Sequence, residues 1–291
     1  MNRPDWTVKR DKPVIDLSKN VHYDSLMNSY ISELLNDVDI HDYPSEYKVY
    51  DAISKYYNIK LEQLAVGYGS SEVIERVLRA LKIKKLYILI PTFEMIQVYC
   101  INNGIEYTVI EDLSQAVDPE YSLYIVNPNG NDGTILNLSD IYHKFDYCII
   151  DEVYADFDDQ FSLLKFDSEK LIIIKSLSKS LGIAGLRIGF CKASISNTIK
   201  IQDLRHSYIT SSIAEVIVPN IISKTPTIVE RMKHSKSFLE SKFECIESHG
   251  NYVLFKKPNV LTDLFGCKNV NGLYRMALLD METIKLYVKN I

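Results

Sequence analysis

Long apolar runs are missing from this 291-residue sequence, and no stretch is long enough to span a bilayer. Residues 1–12 are polar and contain no apolar core of a signal peptide. Positive charge is not in excess either, because 33 basic and 38 acidic side chains give a net charge of −5. The chain therefore offers no broad basic surface for nucleic acid or an anionic membrane. We expect a cytoplasmic protein that binds small molecules, with neither nucleic acid nor membrane as a partner.

Cysteine is also scarce. The five cysteines are widely spaced, odd in number and form no C-x-x-C pair. Cys148 and Cys191 lie inside apolar runs, so buried reduced thiols are favoured over disulfides or zinc ligands. We predict no metal site.

Short apolar segments alternate with longer amphipathic ones, which is typical of a parallel sheet covered by helices. The predicted strands are rich in Ile, Val, Leu and Tyr, as strands buried on both faces should be. They are 86–90, 107–110, 123–127, 148–151, 171–175 and 187–191. The predicted helices are 71–81, 93–103 and 227–245, and residues 251–291 read as two short strands and a final helix. We predict a large domain of residues 41–225 and a smaller one built from residues 1–40 and 226–291.

A lysine flanked by hydroxyls and glycines lies just after the predicted strand 171–175. This lysine, Lys179, has Ser176 and Ser178 before it and Arg187 eight residues later. A partly buried guanidinium needs an anion, so the segment indicates a site for an anionic ligand. The alternative is a surface loop in which these residues occur by chance.

Two further segments carry polar groups at the ends of predicted elements. Asp151 and Tyr154 follow an apolar strand, and Gly69, Ser70 and Ser71 open a helix whose free N–H groups and dipole attract an anion. A capping aspartate and a core tyrosine are the alternative for the first pair.

Residues 176–189, S-L-S-K-S-L-G-I-A-G-L-R-I-G, resemble the lysine signature S-x-S-K-x-x-G-x-x-G-x-R-x-G of the fold type I, class I/II aminotransferases. These enzymes use pyridoxal 5′-phosphate (PLP). The resemblance runs from about residue 17 to the C-terminus and is greatest to the histidinol-phosphate aminotransferase branch. It implies an α/β fold, with a mainly parallel sheet in a large PLP-binding domain and a second, smaller α+β domain.

The resemblance also implies roles for individual residues. Lys179 would hold PLP as an aldimine, Asp151 would pair with the ring nitrogen and Tyr154 with the ring oxygen. A protonated ring is the better electron sink, which is why a carboxylate is needed there. The residues implied to surround the cofactor phosphate are Gly69, Ser70, Ser71, Ser176, Ser178 and Arg187.

Three more residues take roles from the resemblance. Phe93, in Pro-Thr-Phe, would stack on the ring, with a core phenylalanine as the alternative. Tyr43, in Asp-Tyr-Pro, would reach the phosphate of a neighbouring subunit, which implies a homodimer. Arg275 would hold the substrate carboxylate in a bidentate pair, unless it is a surface arginine on a short strand.

The sequence departs from the family pattern in one loop. The family's N-P-x-N-P-T-G appears as N-P-N-G-N-D-G at 127–133, so the asparagine expected at the ring oxygen aligns with Gly130. Asn129 or Asn131 could replace it after a shift of one residue, and Asn129 is preferred. The C-terminal part is also shorter than is usual, and that part shapes the substrate pocket.

The resemblance therefore predicts an aminotransferase that moves an amino group between an amino acid or similar amine, such as histidinol phosphate, and a 2-oxo acid. Decarboxylation of an amino acid, phosphorylated or not, is the alternative, because PLP stabilises either carbanion. A non-catalytic PLP-binding regulatory subunit is a third hypothesis.

Overall fold

A seven-stranded sheet forms the centre of the computed structural model, which describes residues 15–287. Its strands are β1 Leu64–Tyr68, β2 Lys85–Leu89, β3 Glu106–Ile110, β4 Ser122–Val126, β5 Cys148–Asp151, β6 Leu171–Ser176 and β7 Ile188–Lys192. Their order is β1-β7-β6-β5-β4-β2-β3. The five strands from β6 to β3 are parallel, and β7 is antiparallel to both of its neighbours.

A second, four-stranded antiparallel sheet follows in the C-terminal part. It contains β8 Cys245–Ile246, β9 Tyr252–Phe255, β10 Lys268–Val270 and β11 Leu273–Ala277. The α-helices are α1 Ser25–Leu34, α2 Tyr47–Tyr57, α3 Gly69–Ala80, α4 Met95–Asn102, α5 Leu177–Ser180, α6 Ile195–Asp203, α7 Ser212–Ile221, α8 Thr225–Lys242, α9 Val260–Phe265 and α10 Met281–Tyr287. No helix in the described residues is long and apolar enough to cross a membrane.

The central strands β4, β5 and β6 are buried along their whole length because both faces of the large sheet are covered. Side chains alternate between the faces, as the strand repeat requires. Ile172 and Ile174 pack in the same core as helix α3, whereas Leu171 and Ile173 pack in a separate core on the other face.

The carboxyl ends of the parallel strands converge at one edge of the large sheet. Asp151 is the last residue of β5 and Ser176 is the last residue of the adjacent β6. Helix α3 begins beside them, directly after β1. A Cβ on Gly189 of β7 would lie only 2.2 Å from the backbone nitrogen of Ser70, so glycine allows β7 to pass the helix start. Ligands of open α/β sheets bind at such an edge.

The predicted α/β fold is confirmed, and all six predicted strands are present with ends shifted by at most one residue. Cys148 and Cys191 are buried free thiols, as predicted. Strand β1 was not predicted. The reading of residues 251–291 as two strands and a helix was wrong, because this part contains three strands and a short helix before α10. The local reason is that the β10–β11 turn at Asn271 and Gly272, both with positive φ, pairs two short polar strands.

The predicted division into residues 41–225 and a smaller domain remains a prediction. Leu17 packs with the core of the second sheet, whereas Met27 of α1 packs with residues of α2 and α7. The N-terminal segment therefore contacts both parts of the molecule.

Candidate active site

A cavity of about 700 Å³ opens at the carboxyl ends of β5 and β6. Its wall includes the start of α3, the N-terminal segment and the second sheet. Most of the residues that the sequence indicated lie on this wall. They are Ser70, Ser71, Phe93, Asp151, Tyr154, Ser176, Ser178, Lys179, Arg187 and Arg275.

Lys179 lies on α5, a single turn that begins where β6 ends. Ser176 caps this turn, and its hydroxyl accepts a hydrogen bond from the Ser178 N–H at 3.2 Å. The Lys179 amine donates to the carbonyls of Asn20 at 2.8 Å and Lys19 at 3.2 Å. Burial lowers the pKa of Lys179 to about 7, and the nearby arginines act in the same direction. A large fraction of the amine is thus neutral and nucleophilic near pH 7.

Asp151 is buried at the end of β5. Its Oδ2 accepts a hydrogen bond from the Tyr124 hydroxyl at 2.9 Å, and its Oδ1 accepts one from the Val153 N–H at 3.3 Å. Burial raises the pKa of Asp151 to about 6, while the Tyr124 bond opposes this rise. A buried carboxylate is stabilised by a cation, so this end of the cavity favours a positively charged ring nitrogen. Tyr124 was not predicted as a site residue, because a tyrosine inside a buried strand has the pattern of a core residue.

Tyr154 is buried beside the cavity and contacts two residues from distant parts of the chain. Its hydroxyl accepts a hydrogen bond from Nδ2 of Asn20 at 3.0 Å. Its ring fills the space next to Gly130, where a Cβ would lie 2.4 Å from Tyr154 Cε2. Burial raises the pKa of Tyr154, so the phenol is protonated at neutral pH. Asn20 was not predicted as a site residue.

At the start of α3, no side chain of residues 15–287 caps the first turn. Gly69 has a φ of +80°, and a Cβ there would lie 2.2 Å from Nη2 of Arg187. Because Gly69 has no side chain, the guanidinium can lie beside the free N–H groups of this turn. Ser70 and Ser71 lie on the same turn. Arg187 Nη1 donates to the Ala184 carbonyl at 3.2 Å. A helix N-terminus together with an arginine is suited to a phosphate group.

The opposite wall carries Arg275, which is almost fully buried on β11. Its Nη1 donates to the Gly130 carbonyl at 2.5 Å and to Oδ1 of Asn131 at 3.1 Å, and its Nη2 donates to the Ser18 carbonyl at 3.3 Å. Nearby, Lys268 pairs with Glu94 at 2.9 Å. Phe93 forms part of this wall as a half-buried side chain.

Asn129 and Tyr43 do not line the cavity of the single chain. The Asn129 amide donates to the Pro91 carbonyl at 2.6 Å, and its oxygen accepts the Asn131 N–H at 2.9 Å. Asn131 does line the cavity, and its amide donates to the Thr92 carbonyl. Tyr43 is 72% exposed and stacks on Tyr208 with ring centroids 4.1 Å apart.

The arrangement fits PLP, because each chemical group of the cofactor has a suitable partner on the cavity wall. The amine of Lys179 matches the aldehyde, the buried carboxylate of Asp151 matches the ring nitrogen, and the uncapped start of α3 with Arg187 matches the phosphate. The Tyr154 hydroxyl matches the ring oxygen.

The model of the family described as "Aminotransferase class I and II" matches residues 12–284. A histidinol-phosphate aminotransferase of Clostridium kluyveri is 26% identical over 86% of this chain and 81% of its own length. The structure of a histidinol-phosphate aminotransferase from Sinorhizobium meliloti, in complex with PLP, superimposes with a TM-score of 0.76 at 14% identity, covering 94% of this chain and 89% of that one. That of L-threonine-O-3-phosphate decarboxylase from Porphyromonas gingivalis superimposes with a TM-score of 0.71 at 17% identity, covering 95% and 98%. These two structures establish a shared fold. Because the family model spans nearly the whole chain, the protein belongs to the aminotransferase class I and II family and is a PLP-dependent enzyme.

Proposed function

We propose that this aminotransferase moves an amino group between an amino acid or amino-acid-like amine and a 2-oxo acid, with histidinol phosphate as the first donor to test. The observation that carries the proposal is one cavity whose wall brings together the half-buried amine of Lys179, the buried carboxylate of Asp151 and two arginines. The names of the relatives at about one-quarter identity support histidinol phosphate as a donor.

Bound PLP supplies an electron sink for negative charge at the substrate α-carbon. Asp151 keeps the ring nitrogen protonated, because an ionised carboxylate in a buried site stabilises a cation. Lys179 would hold the cofactor through its amine, and the same amine, when free, would accept the substrate α-proton as a general base. Its pKa of about 7 suits this role at neutral pH. The start of α3 and Arg187 hold the phosphate.

Arg275 is proposed to hold the carboxylate of an amino-acid or 2-oxo-acid substrate, and the phosphate of histidinol phosphate, which has no carboxylate, would take the same place. Its guanidinium now donates to the carbonyls of Gly130 and Ser18. A carboxylate accepts two parallel N–H bonds from arginine, and these charge-assisted bonds are stronger than bonds to neutral carbonyls. Substrate binding therefore exchanges weak partners of Arg275 for a strong one.

The proposal includes a homodimer in which Tyr43 reaches the phosphate site of the neighbouring subunit. Its support is an exposed apolar surface around Tyr43 that includes Ile40, Tyr47 and Tyr208. A cytoplasmic location is part of the same proposal and rests on the sequence alone.

The test supplies the PLP-loaded protein with single amino donors, histidinol phosphate among them, and a 2-oxo acid acceptor. Mass spectrometry then measures the oxo product of the donor, the new amino acid and carbon dioxide. We expect the first two to form in equal amounts. Lys179→Ala should abolish both, and Lys55→Ala, which removes an exposed lysine paired with Asp51, should not. Carbon dioxide without an oxo product would instead establish a decarboxylase, and no product from any donor would leave a non-catalytic role.

A further inference from the structure

Asn20 links two of the proposed active-site residues. It is 2% exposed, and its φ of +58° lies in the left-handed region, which asparagine tolerates better than most residues. Its Nδ2 donates to the Tyr154 hydroxyl at 3.0 Å and to the Gly130 carbonyl at 3.3 Å. Its own carbonyl accepts from the Lys179 amine at 2.8 Å. A residue from the N-terminal segment thus contacts both the phenol and the amine.

The loop at 127–133 does not provide an amide for Tyr154. The side-chain amides of Asn129 and Asn131 donate to the carbonyls of Pro91 and Thr92. At Gly130, where the family pattern has asparagine, the Tyr154 ring occupies the space that a side chain would need. The amide that reaches the Tyr154 hydroxyl comes from Asn20 instead.

The direction of this hydrogen bond determines where the Tyr154 proton points. An amide nitrogen can only donate, so the Tyr154 oxygen accepts from Asn20 and its own proton needs another acceptor. Within residues 15–287 the structure shows no acceptor for that proton. Tyr154 lines the cavity, so its proton is available to a ligand there. Donation by Asn20 also makes the phenol a stronger donor, because bonded chains polarise one another.

We propose that Asn20 is a positioning residue that directs the Tyr154 hydroxyl toward the ring oxygen of PLP, in place of the loop asparagine that this chain lacks. The inference rests on the proposed roles of Tyr154 and Lys179.

The test is a pH titration of the visible absorption spectrum of the PLP-loaded protein, which reports the pKa of the nitrogen that joins Lys179 to the cofactor. A hydrogen bond to the ring oxygen stabilises its negative charge and so lowers that pKa. Asn20→Gly removes the amide and keeps the left-handed backbone. We expect the midpoint of its spectral titration to rise by about one pH unit, because the free energy of one lost hydrogen bond corresponds to a pKa shift of about that size.

A second titration shows whether Asn20 acts through Tyr154. In the Tyr154→Phe background, the Asn20→Gly change should produce no further rise. Asn20→Asp is a second variant of the same size, and its carboxylate would accept the Tyr154 proton. The change in titration midpoint caused by Asn20→Asp should therefore be larger when Tyr154 is present than in the Tyr154→Phe background. Either variant alone can decide the question if the other does not fold.

Asn251→Ala is the matched control, because Asn251 also donates to the Asn20 carbonyl, at 3.1 Å, but makes no bond to Tyr154. Its midpoint should equal that of the wild type. An unchanged midpoint in Asn20→Gly, or an equal rise with and without the Tyr154 hydroxyl, would overturn the inference while leaving the proposed function intact. If PLP is not attached to Lys179 in the wild type, the proposed function fails and the inference fails with it.

Discussion

The two walls of the cavity differ in how their charged groups are engaged. On the wall formed by the large sheet, the start of α3 is uncapped and the Arg187 guanidinium contacts carbonyl oxygens at 3.2 and 3.5 Å. On the opposite wall, Arg275 already holds three partners and Lys268 pairs with Glu94. The first wall is prepared for a permanent anionic ligand. On the second wall an anionic substrate would compete with these contacts, which suits a ligand that enters and leaves at every turnover.

Asp151→Asn on the first wall should have the largest effect. A neutral amide does not stabilise a protonated ring nitrogen, so we expect kcat to fall about 10³-fold. Steady-state kinetics at saturating PLP would measure the loss. Asp146→Asn, at a turn before β5, is the control and should keep wild-type kcat. A fall of less than tenfold would argue against the assignment of Asp151.

Replacing each of the two arginines with alanine tests whether the two walls bind different ligands. Arg187→Ala should raise the Kd for PLP about 100-fold, because charge-assisted hydrogen bonds to the phosphate are lost. Arg275→Ala should raise the KM for the amino donor by a similar factor and leave the Kd for PLP unchanged. Equilibrium dialysis and initial rates measure the two quantities.

Arg79→Ala, near the other end of α3 and exposed, controls for loss of positive charge. It should change neither constant. Weakened PLP binding in Arg275→Ala, or an unchanged PLP affinity in Arg187→Ala, would remove the distinction between the walls.

Lys179→Met should change how the stability of the cofactor-free protein depends on pH. Burial lowers the pKa of Lys179 from 10.5 to about 7, so between these values the unfolded chain binds more protons than the folded one. Wild-type stability therefore gains a contribution as pH rises from about 7 toward 10.5, and the variant lacks it. Urea unfolding should show the wild type gaining about 3 kcal/mol relative to Lys179→Met between about pH 6 and pH 9.

The exposed Lys55 provides the control for this titration, and the stability of Lys55→Met should run parallel to that of the wild type between about pH 6 and pH 9. Parallel curves for the wild type and Lys179→Met would show that the Lys179 amine keeps its ordinary pKa in the folded chain.

Tyr124→Phe should have the smallest effect, about tenfold or less on kcat/KM. The Tyr124 hydrogen bond lowers the pKa of Asp151, so its loss should raise that pKa and move the acidic limb of the pH profile upward. Tyr121→Phe is the control, because its hydroxyl bonds Glu106 rather than Asp151. An acidic limb that stays in place would mean that Tyr124 does not influence Asp151.

The elements that could be predicted are those whose local sequence carries the reason for their structure. Strands β5 and β6 are continuous apolar runs, and the polar residues that follow them lie at the sheet edge. Strand β10, Lys268–Val270, has no apolar alternation and exists because it pairs with β11. It could not be predicted from its own three residues.

The same distinction applies to the site. Lys179 and Arg187 lie in one segment, whereas Asn20 meets Tyr154 across 134 positions of the sequence. Tyr124 meets Asp151 through the pairing of β4 with β5. Contacts of this kind depend on the folded arrangement and leave no local pattern.

The residue that carries PLP can be identified by reducing the PLP-loaded protein with borohydride, digesting it and locating the attached cofactor by mass spectrometry. We expect a single modified lysine, Lys179. Attachment to Lys19 or Lys268, the two other lysines on the cavity wall, or to no lysine at all, would contradict this assignment.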